Sequence, residues 1–182
     1  DPFGGGRLLP SGRLREPLAA VSRADAAILT GVAPEEAATA GAELASALRS
    51  RGFRGPGFAS VSKTAPPYLV TASGREPLPA GSQVVLASAV ARPEAFASAV
   101  RGHGYTIAAE LRFPDHHRYP AASLARIEAA FRDSGAVAVV ATEKDRVKLA
   151  GRLAVPLAAL PLTACPEPAF WTWLDAAVER LR

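Results

Sequence analysis

At 182 residues, with 49% apolar residues and a formal charge of +4, the chain has the length and apolar content for one full domain and a smaller annex. The charge comes from many arginines and few lysines, which favours phosphates or an anionic surface; no basic run alternates with aromatics, which argues against nucleic acid. The single cysteine, Cys165, excludes an intrachain disulfide or a cysteine-based zinc site and is expected as a buried small hydrophobe in a reducing compartment, and no apolar run has the length of a membrane-spanning helix.

Residues 1–17 are rich in glycine, proline and arginine and read as loop, with Arg7, Arg13 and Arg15 giving the stretch an anion-seeking character. Residues 24–30 (ADAAILT) read as a buried strand. Pro34, Glu35 and Glu36 suit the first turn of a helix that is predicted to run to about Arg51 and stop at Gly52. Two extended pieces follow, 58–63 and 68–71, set apart by Pro66-Pro67 and Ser73-Gly74, which predicts a β-hairpin or two-stranded bridge between lobes. From there strands predicted over 83–87, 105–111, 136–141 and 157–162 alternate with helices over 93–100, 120–131, 143–149 and 167–181. Such alternation implies a parallel sheet flanked by helices. The last helix is expected to bury Phe170, Leu174, Val178 and Leu181 along one stripe, with Trp171 and Trp173 beside it as packing or as an interfacial anchor. The expected class is α/β: an N-terminal annex over residues 1–52, a hairpin linker over 53–81 and a parallel-sheet domain over 82–182. The chain has no methionine, not even at position 1, and opens on Asp1-Pro2-Phe3-Gly4-Gly5-Gly6, so it reads as a piece of something longer.

Three stretches carry chemistry. Phe113-Pro114-Asp115-His116-His117-Arg118-Tyr119 lies between a predicted strand and a predicted helix, at the carboxyl end of the strand, where open α/β sheets place their ligands. His116 beside Asp115 has the make-up of a general base with a neighbouring acid; the alternative is that Asp115 caps the next helix and His117 is solvated. Two adjacent histidines without a second carboxylate at ligand spacing do not suggest a metal site. Thr142-Glu143-Lys144-Asp145 joins a strand to a helix: Thr142 and Asp145 have capping-box spacing, while Lys144 at a helix N-terminus opposes the dipole and so favours a nearby phosphate. In the third stretch Arg13, Arg15 and Glu16 sit among turn-forming residues, either as solvated charges or as forks for a phosphate.

The order GGGRLLPSGRLREPL, ADAAILT, ARPEAF, FPDHHRY and ATEKDRVKL, over nearly the whole chain, resembles the tetraacyldisaccharide 4′-kinases of lipid A biosynthesis. The resemblance implies a P-loop-kinase-like, Rossmann-like fold that transfers phosphate from ATP with Mg²⁺ to the 4′-hydroxyl of a tetraacyldisaccharide 1-phosphate. It also implies work in the cytoplasm, peripheral to the anionic inner membrane of a Gram-negative bacterium. It implies that residues 1–52 are a remnant of the N-terminal kinase lobe. The Walker A loop and an acidic Asp-Asp-Gly-Phe-Gln stretch are expected upstream, in an N-terminal P-loop portion that would hold ATP and Mg²⁺ for the most part. No G-x-x-x-x-G-K-[ST] run occurs in these residues, so the piece is expected to be inactive alone.

By resemblance His116 is half of a catalytic Asp–His dyad whose acid lies upstream, and Asp115 is its catalytic neighbour. Arg15 neutralises charge, with Arg13 beside it; Glu16 positions a metal or hydroxyl; and Thr142, Glu143 and Lys144 line the site. Ala87-Ser88-Ala89-Val90-Ala91 departs from the family, which has a glycine before the ARPEAF run. The competing reading is a non-catalytic α/β module that binds a phosphorylated sugar or a nucleotide.

Overall fold

The computed structural model describes residues 3–182, so Asp1 and Pro2, the start of the predicted loop, lie outside the described residues. The described residues form two compact units, one running up to Lys63 and taking in Thr163–Arg182, the other comprising Thr64–Leu162. The division differs from the expected segments: the last helix falls with the first unit, whereas the strand predicted over 157–162 stays in the second.

In the first unit β1 (Ala27–Val32) runs parallel to β2 (Gly57–Thr64) in a sheet of order β1-β2-β9, with β9 at Leu162–Pro166. The helix α1 (Ala37–Arg49) lies directly on β2. A methyl group on Gly41 would stand 2.7 Å from the Gly57 carbonyl oxygen, and one on Gly57 would stand 2.1 Å from that of Gly41, so both positions require glycine. Leu44, Leu48 and the fully buried Phe53 complete this core. β1 is not the buried strand expected, since Ile28 and Thr30 are exposed.

The helix α5 (Pro168–Glu179) also departs from expectation. None of its residues is buried: Trp171 and Val178 are 51% and 43% exposed, and Leu181, just past its end, is 87% exposed. Glu167 sets its orientation: Glu167 Oε1 accepts the Ala59 N–H at 2.8 Å, and the Glu167 N–H donates to the Ala59 carbonyl at 3.0 Å. The start of α5 is thereby fixed on β2, and the face turned to the strand carries Phe170 and Trp173, whose rings lie 5.5 and 5.7 Å from that of Phe58. Cys165 is half-buried, not fully buried.

The second unit holds a six-stranded sheet of order β4-β3-β8-β7-β5-β6, made from β3 (Tyr68–Thr71), β4 (Gly74–Pro77), β5 (Gln83–Ser88), β6 (Thr106–Arg112), β7 (Ala138–Thr142) and β8 (Leu157–Leu160). β6, β5, β7 and β8 are mutually parallel, and β3 and β4 add an antiparallel edge beside β8. The hairpin is therefore β3–β4, an extension of this sheet; the predicted bridge fails because residues 58–63 belong to β2, which pairs with β1 through Gly57–Val61.

Both faces of the parallel strands are covered, which is why Val84–Ala87 and Ala138–Ala141 read as unbroken apolar runs. Val84, Leu86 and Val140 pack against Phe96 and Val100 of α2 (Pro93–Gly102). Val85, Ala87 and Val139 pack against Ile127 of α3 (Ala121–Ser134) and Leu149 of α4 (Glu143–Leu149). α3 stops at Gly135, which holds the left-handed conformation (φ 68°) with open space around a would-be Cβ. Gly135→Ala is therefore expected to cost only the conformational penalty, about 1 kcal/mol; a shift in the urea midpoint of the second unit measures it.

Candidate functional site

β5 leads through α2 to β6 on one side, whereas β7 leads through α4 to β8 on the other. The connections thus diverge between β5 and β7, and the crevice outside the carboxyl ends of these strands is where such sheets bind ligands. Three segments meet the sheet there: the turn after β5 at Ala89, the Phe113–Pro120 loop after β6, and the first turn of α4 after β7.

Asp145 joins the two sides of the crevice. It is 0% exposed, and its Oδ2 accepts the Ala89 N–H at 2.9 Å and the Thr142 hydroxyl at 3.0 Å, while Lys148 Nζ donates to Oδ1 at 3.2 Å. Thr142 is the N-cap of α4, its Oγ1 accepting the Asp145 N–H at 3.2 Å. Half of the capping box is thus present. The carboxylate, instead of returning to the backbone of Thr142, holds the loop in which this sequence departs from its resemblance.

Glu143 and Lys144 reach outward from the same turn. Glu143 Oε1 accepts the Tyr68 hydroxyl at 3.1 Å and Arg75 Nη2 at 3.4 Å, tying α4 to the β3–β4 hairpin. Lys144 Nζ donates to Asp115 Oδ1 at 2.8 Å. The anion that offsets a lysine at this helix start is a side chain of the chain itself.

The Asp115–Tyr119 loop is unusual in its backbone, with His116 at φ 61° and Tyr119 at φ 52°, both in the left-handed region that glycine favours. Asp115 Oδ1 accepts the His116 N–H at 3.0 Å, and His116 Nε2 lies 3.6 Å from Asp115 Oδ2. The hydrogen bond from Lys144, helped by that from His116, outweighs desolvation and holds the Asp115 carboxyl below its usual range. The imidazole of His116 is 82% exposed and available to a ligand.

His117 is not solvated: its ring stacks on Phe113 at 4.8 Å and 15°, and its Nε2 lies 2.8 Å from Ser123 Oγ. Asp115 does not cap α3, which begins behind Pro120 without a side-chain cap. Tyr119 is fully buried against both rings, and burial, then the charge of Asp145, raises its hydroxyl pKa. Arg152 Nη2 closes the loop by donating to the Tyr119 carbonyl at 2.8 Å.

The second unit thus brings together Asp115, His116, Thr142, Glu143 and Lys144. Arg13, Arg15 and Glu16 belong to the first unit. There the Arg7–Leu14 turn is closed by Leu14 N–H donating to the Arg7 carbonyl at 3.0 Å, Arg13 and Arg15 are exposed, and Glu16 is ion-paired with Arg23. Glu16 and Arg23 also line an open cavity of about 530 Å³ with Leu18, Val21, Ile28 and Leu48. Among the described residues no group of three or more His, Cys, Asp or Glu side chains converges as a metal site.

Sequence reasoning missed the central place of Asp145 and the ties made by Arg152. The capping spacing of Asp145 was the available signal, but spacing carries no information on burial.

Comparison with known proteins gives one family. LpxK, tetraacyldisaccharide-1-P 4'-kinase, matches residues 1–179. Curated relatives named tetraacyldisaccharide 4'-kinase include one from Anaeromyxobacter sp. (strain Fw109-5), 40% identical over 82% of this chain and 40% of its own length. Another, from Syntrophus aciditrophicus (strain SB), is 36% identical over 90% of this chain and 44% of its own. A third, from Methylobacterium nodulans, is 35% identical over 99% of this chain and 47% of its own. The chain spans less than half the length of each of these relatives. A crystal structure described as "apo" form LpxK from Aquifex aeolicus in complex with ATP is 23% identical, with a TM-score of 0.49 over 88% of this chain and 44% of that one.

Proposed function

Because the chain belongs to the tetraacyldisaccharide-1-P 4'-kinase family, we propose that it supplies the acceptor side of an ATP-dependent phosphoryl transfer to the 4′-hydroxyl of a tetraacyldisaccharide 1-phosphate. The observation that carries this reading is His116, an exposed imidazole in a strained left-handed backbone at the carboxyl end of a parallel sheet, with Asp115 against it. Strained residues held by their surroundings gather at working sites. In the transfer, the sugar hydroxyl oxygen forms a bond to the γ-phosphorus, its proton passes to His116, and the bond from that phosphorus to the bridging oxygen breaks to release ADP. An acid that completes a dyad with His116, and the cradle for the ATP phosphates, are placed in a P-loop portion outside these residues. The support is the reach of the relatives, which extend over more than twice this length.

Arg15 and Arg13, both exposed, are assigned to phosphate charge. Mg²⁺ is assigned to the portion outside these residues, since the carboxylates here do not fit a site for it: Glu16 is paired with Arg23, Asp115 with Lys144, and Asp145 is enclosed by its donors. When bound elsewhere the ion supplies charge neutralisation to the phosphates.

No described helix is long and apolar enough to cross a membrane. Contact with an anionic inner-membrane surface is assigned to α5 and the residues after it, with exposed Trp171 and Val178 on the helix and Leu181 between Arg180 and Arg182 beyond its end.

The test is a chimera in which this chain replaces the matched segment of the Methylobacterium nodulans relative, assayed with radiolabelled ATP and tetraacyldisaccharide 1-phosphate. Label is expected on the lipid with the chimera and not with the chain alone. Binding of the lipid without transfer would replace the kinase reading with that of a phospho-sugar binding module.

A further inference from the structure

We propose that the Thr142–Asp145 turn is a clamp that fixes the loop after β6 against the loop after β5, with Lys144 as the residue that positions Asp115 and His116. The consequence for catalysis rests on the reading of His116 given above; the clamp itself rests on geometry.

Each residue of the turn holds a different element. Thr142 caps its own helix. Glu143 takes the β3–β4 hairpin through Tyr68 and Arg75, Lys144 takes the loop after β6 through Asp115, and Asp145 takes the loop after β5 through the Ala89 N–H. At the base of the clamp Asp145 is wholly buried and accepts from Ala89, Thr142 and Lys148.

Asp115 Oδ1 receives both the Lys144 ammonium and the His116 N–H, so a single oxygen fixes the lysine and the backbone of the histidine together. The other oxygen stays beside the imidazole. A lysine at a helix start is opposed by the dipole, and a non-glycine residue at φ 61° is opposed by its own Cβ. Two locally unfavourable choices that satisfy each other through one carboxylate indicate a constraint on position. Stability is not their return, since exposed pairs of this kind contribute little.

The experiment uses the full chain with Lys144→Met and Lys144→Arg. Asp115 gains an ion pair in the fold, so its native midpoint lies below the unfolded value of about 3.9 and the pair is lost as pH falls through it. In Lys144→Met the Asp115 carboxyl, followed by carbon-detected NMR, is expected to titrate closer to that value, and the His116 amide to exchange with solvent about fivefold faster or more. Lys144→Arg is expected to restore both, and the thermal midpoint to stay unchanged in each variant. An Asp115 midpoint and a His116 exchange rate both unmoved by Lys144→Met would overturn the clamp. In the chimeric kinase Lys144→Met is expected to lower kcat with KM retained. Should His116→Ala leave turnover intact while the NMR changes appear, the clamp stands and the catalytic reading of His116 falls.

Discussion

Asp145→Ala is expected to destabilise the second unit by about 3–5 kcal/mol, the usual cost of removing one partner from a buried, hydrogen-bonded charge pair. The carboxylate is fully buried and accepts from the Ala89 N–H, the Thr142 hydroxyl and Lys148. Alanine leaves the Ala89 amide without an acceptor in a place water does not reach, a loss of about 1–3 kcal/mol by itself. It also strands the Lys148 ammonium, whose side chain is 27% exposed, beside the ring of Tyr119. Asp145→Asn keeps the shape and one oxygen acceptor, and is expected to lose about half as much or less. Urea unfolding of the second unit gives the magnitudes, and accelerated exchange of the Ala89 amide gives the location. A wild-type midpoint in Asp145→Ala would show that the crevice is held by something else.

His116→Ala is expected to lower phosphate transfer by the chimeric kinase about 10²–10⁴-fold, the range for a positioned general base, and to leave stability nearly as it was. The two halves of this expectation have different causes. The imidazole is 82% exposed, so alanine forfeits little buried area. The backbone at φ 61° is uncomfortable for alanine as it is for histidine, so alanine keeps the strain, whereas His116→Gly is expected to relieve it and stabilise the loop. A glycine variant that is more stable and inactive would separate the two roles cleanly. Turnover within a factor of two of wild type in His116→Ala would remove the proton-transfer assignment.

Much of the second unit was legible in the sequence because its signals are local. Val84–Ala87 and Ala138–Ala141 are unbroken apolar runs of the kind that only a doubly covered parallel sheet demands, and α4 has the predicted bounds, Glu143–Leu149. What failed was non-local. Residues 58–63 are plainly extended, but whether they turn back as a hairpin or lie beside β1 depends on a partner some thirty residues away. The reading of 157–162 as one strand overlooked Pro161, which has no N–H to donate; β8 ends before it and β9 joins the other sheet. The stripe on α5 was real as a pattern, but periodicity shows which residues share a face and not whether anything covers it. At the site, Asp115, His116 and Lys144 were each noticed for their own chemistry. Their junction through one carboxylate oxygen links positions 29 residues apart and needed the fold to be seen.

The placement of the aromatic residues has an experimental consequence. Both tryptophans, Trp171 and Trp173, lie on α5 in the first unit, and all three tyrosines, Tyr68, Tyr105 and Tyr119, lie in the second. Each half of the chain therefore carries its own intrinsic chromophore. Indole emission excited at the red edge arises from the first unit, and tyrosine signals arise from the second, so label-free measurements give each half its own reporter.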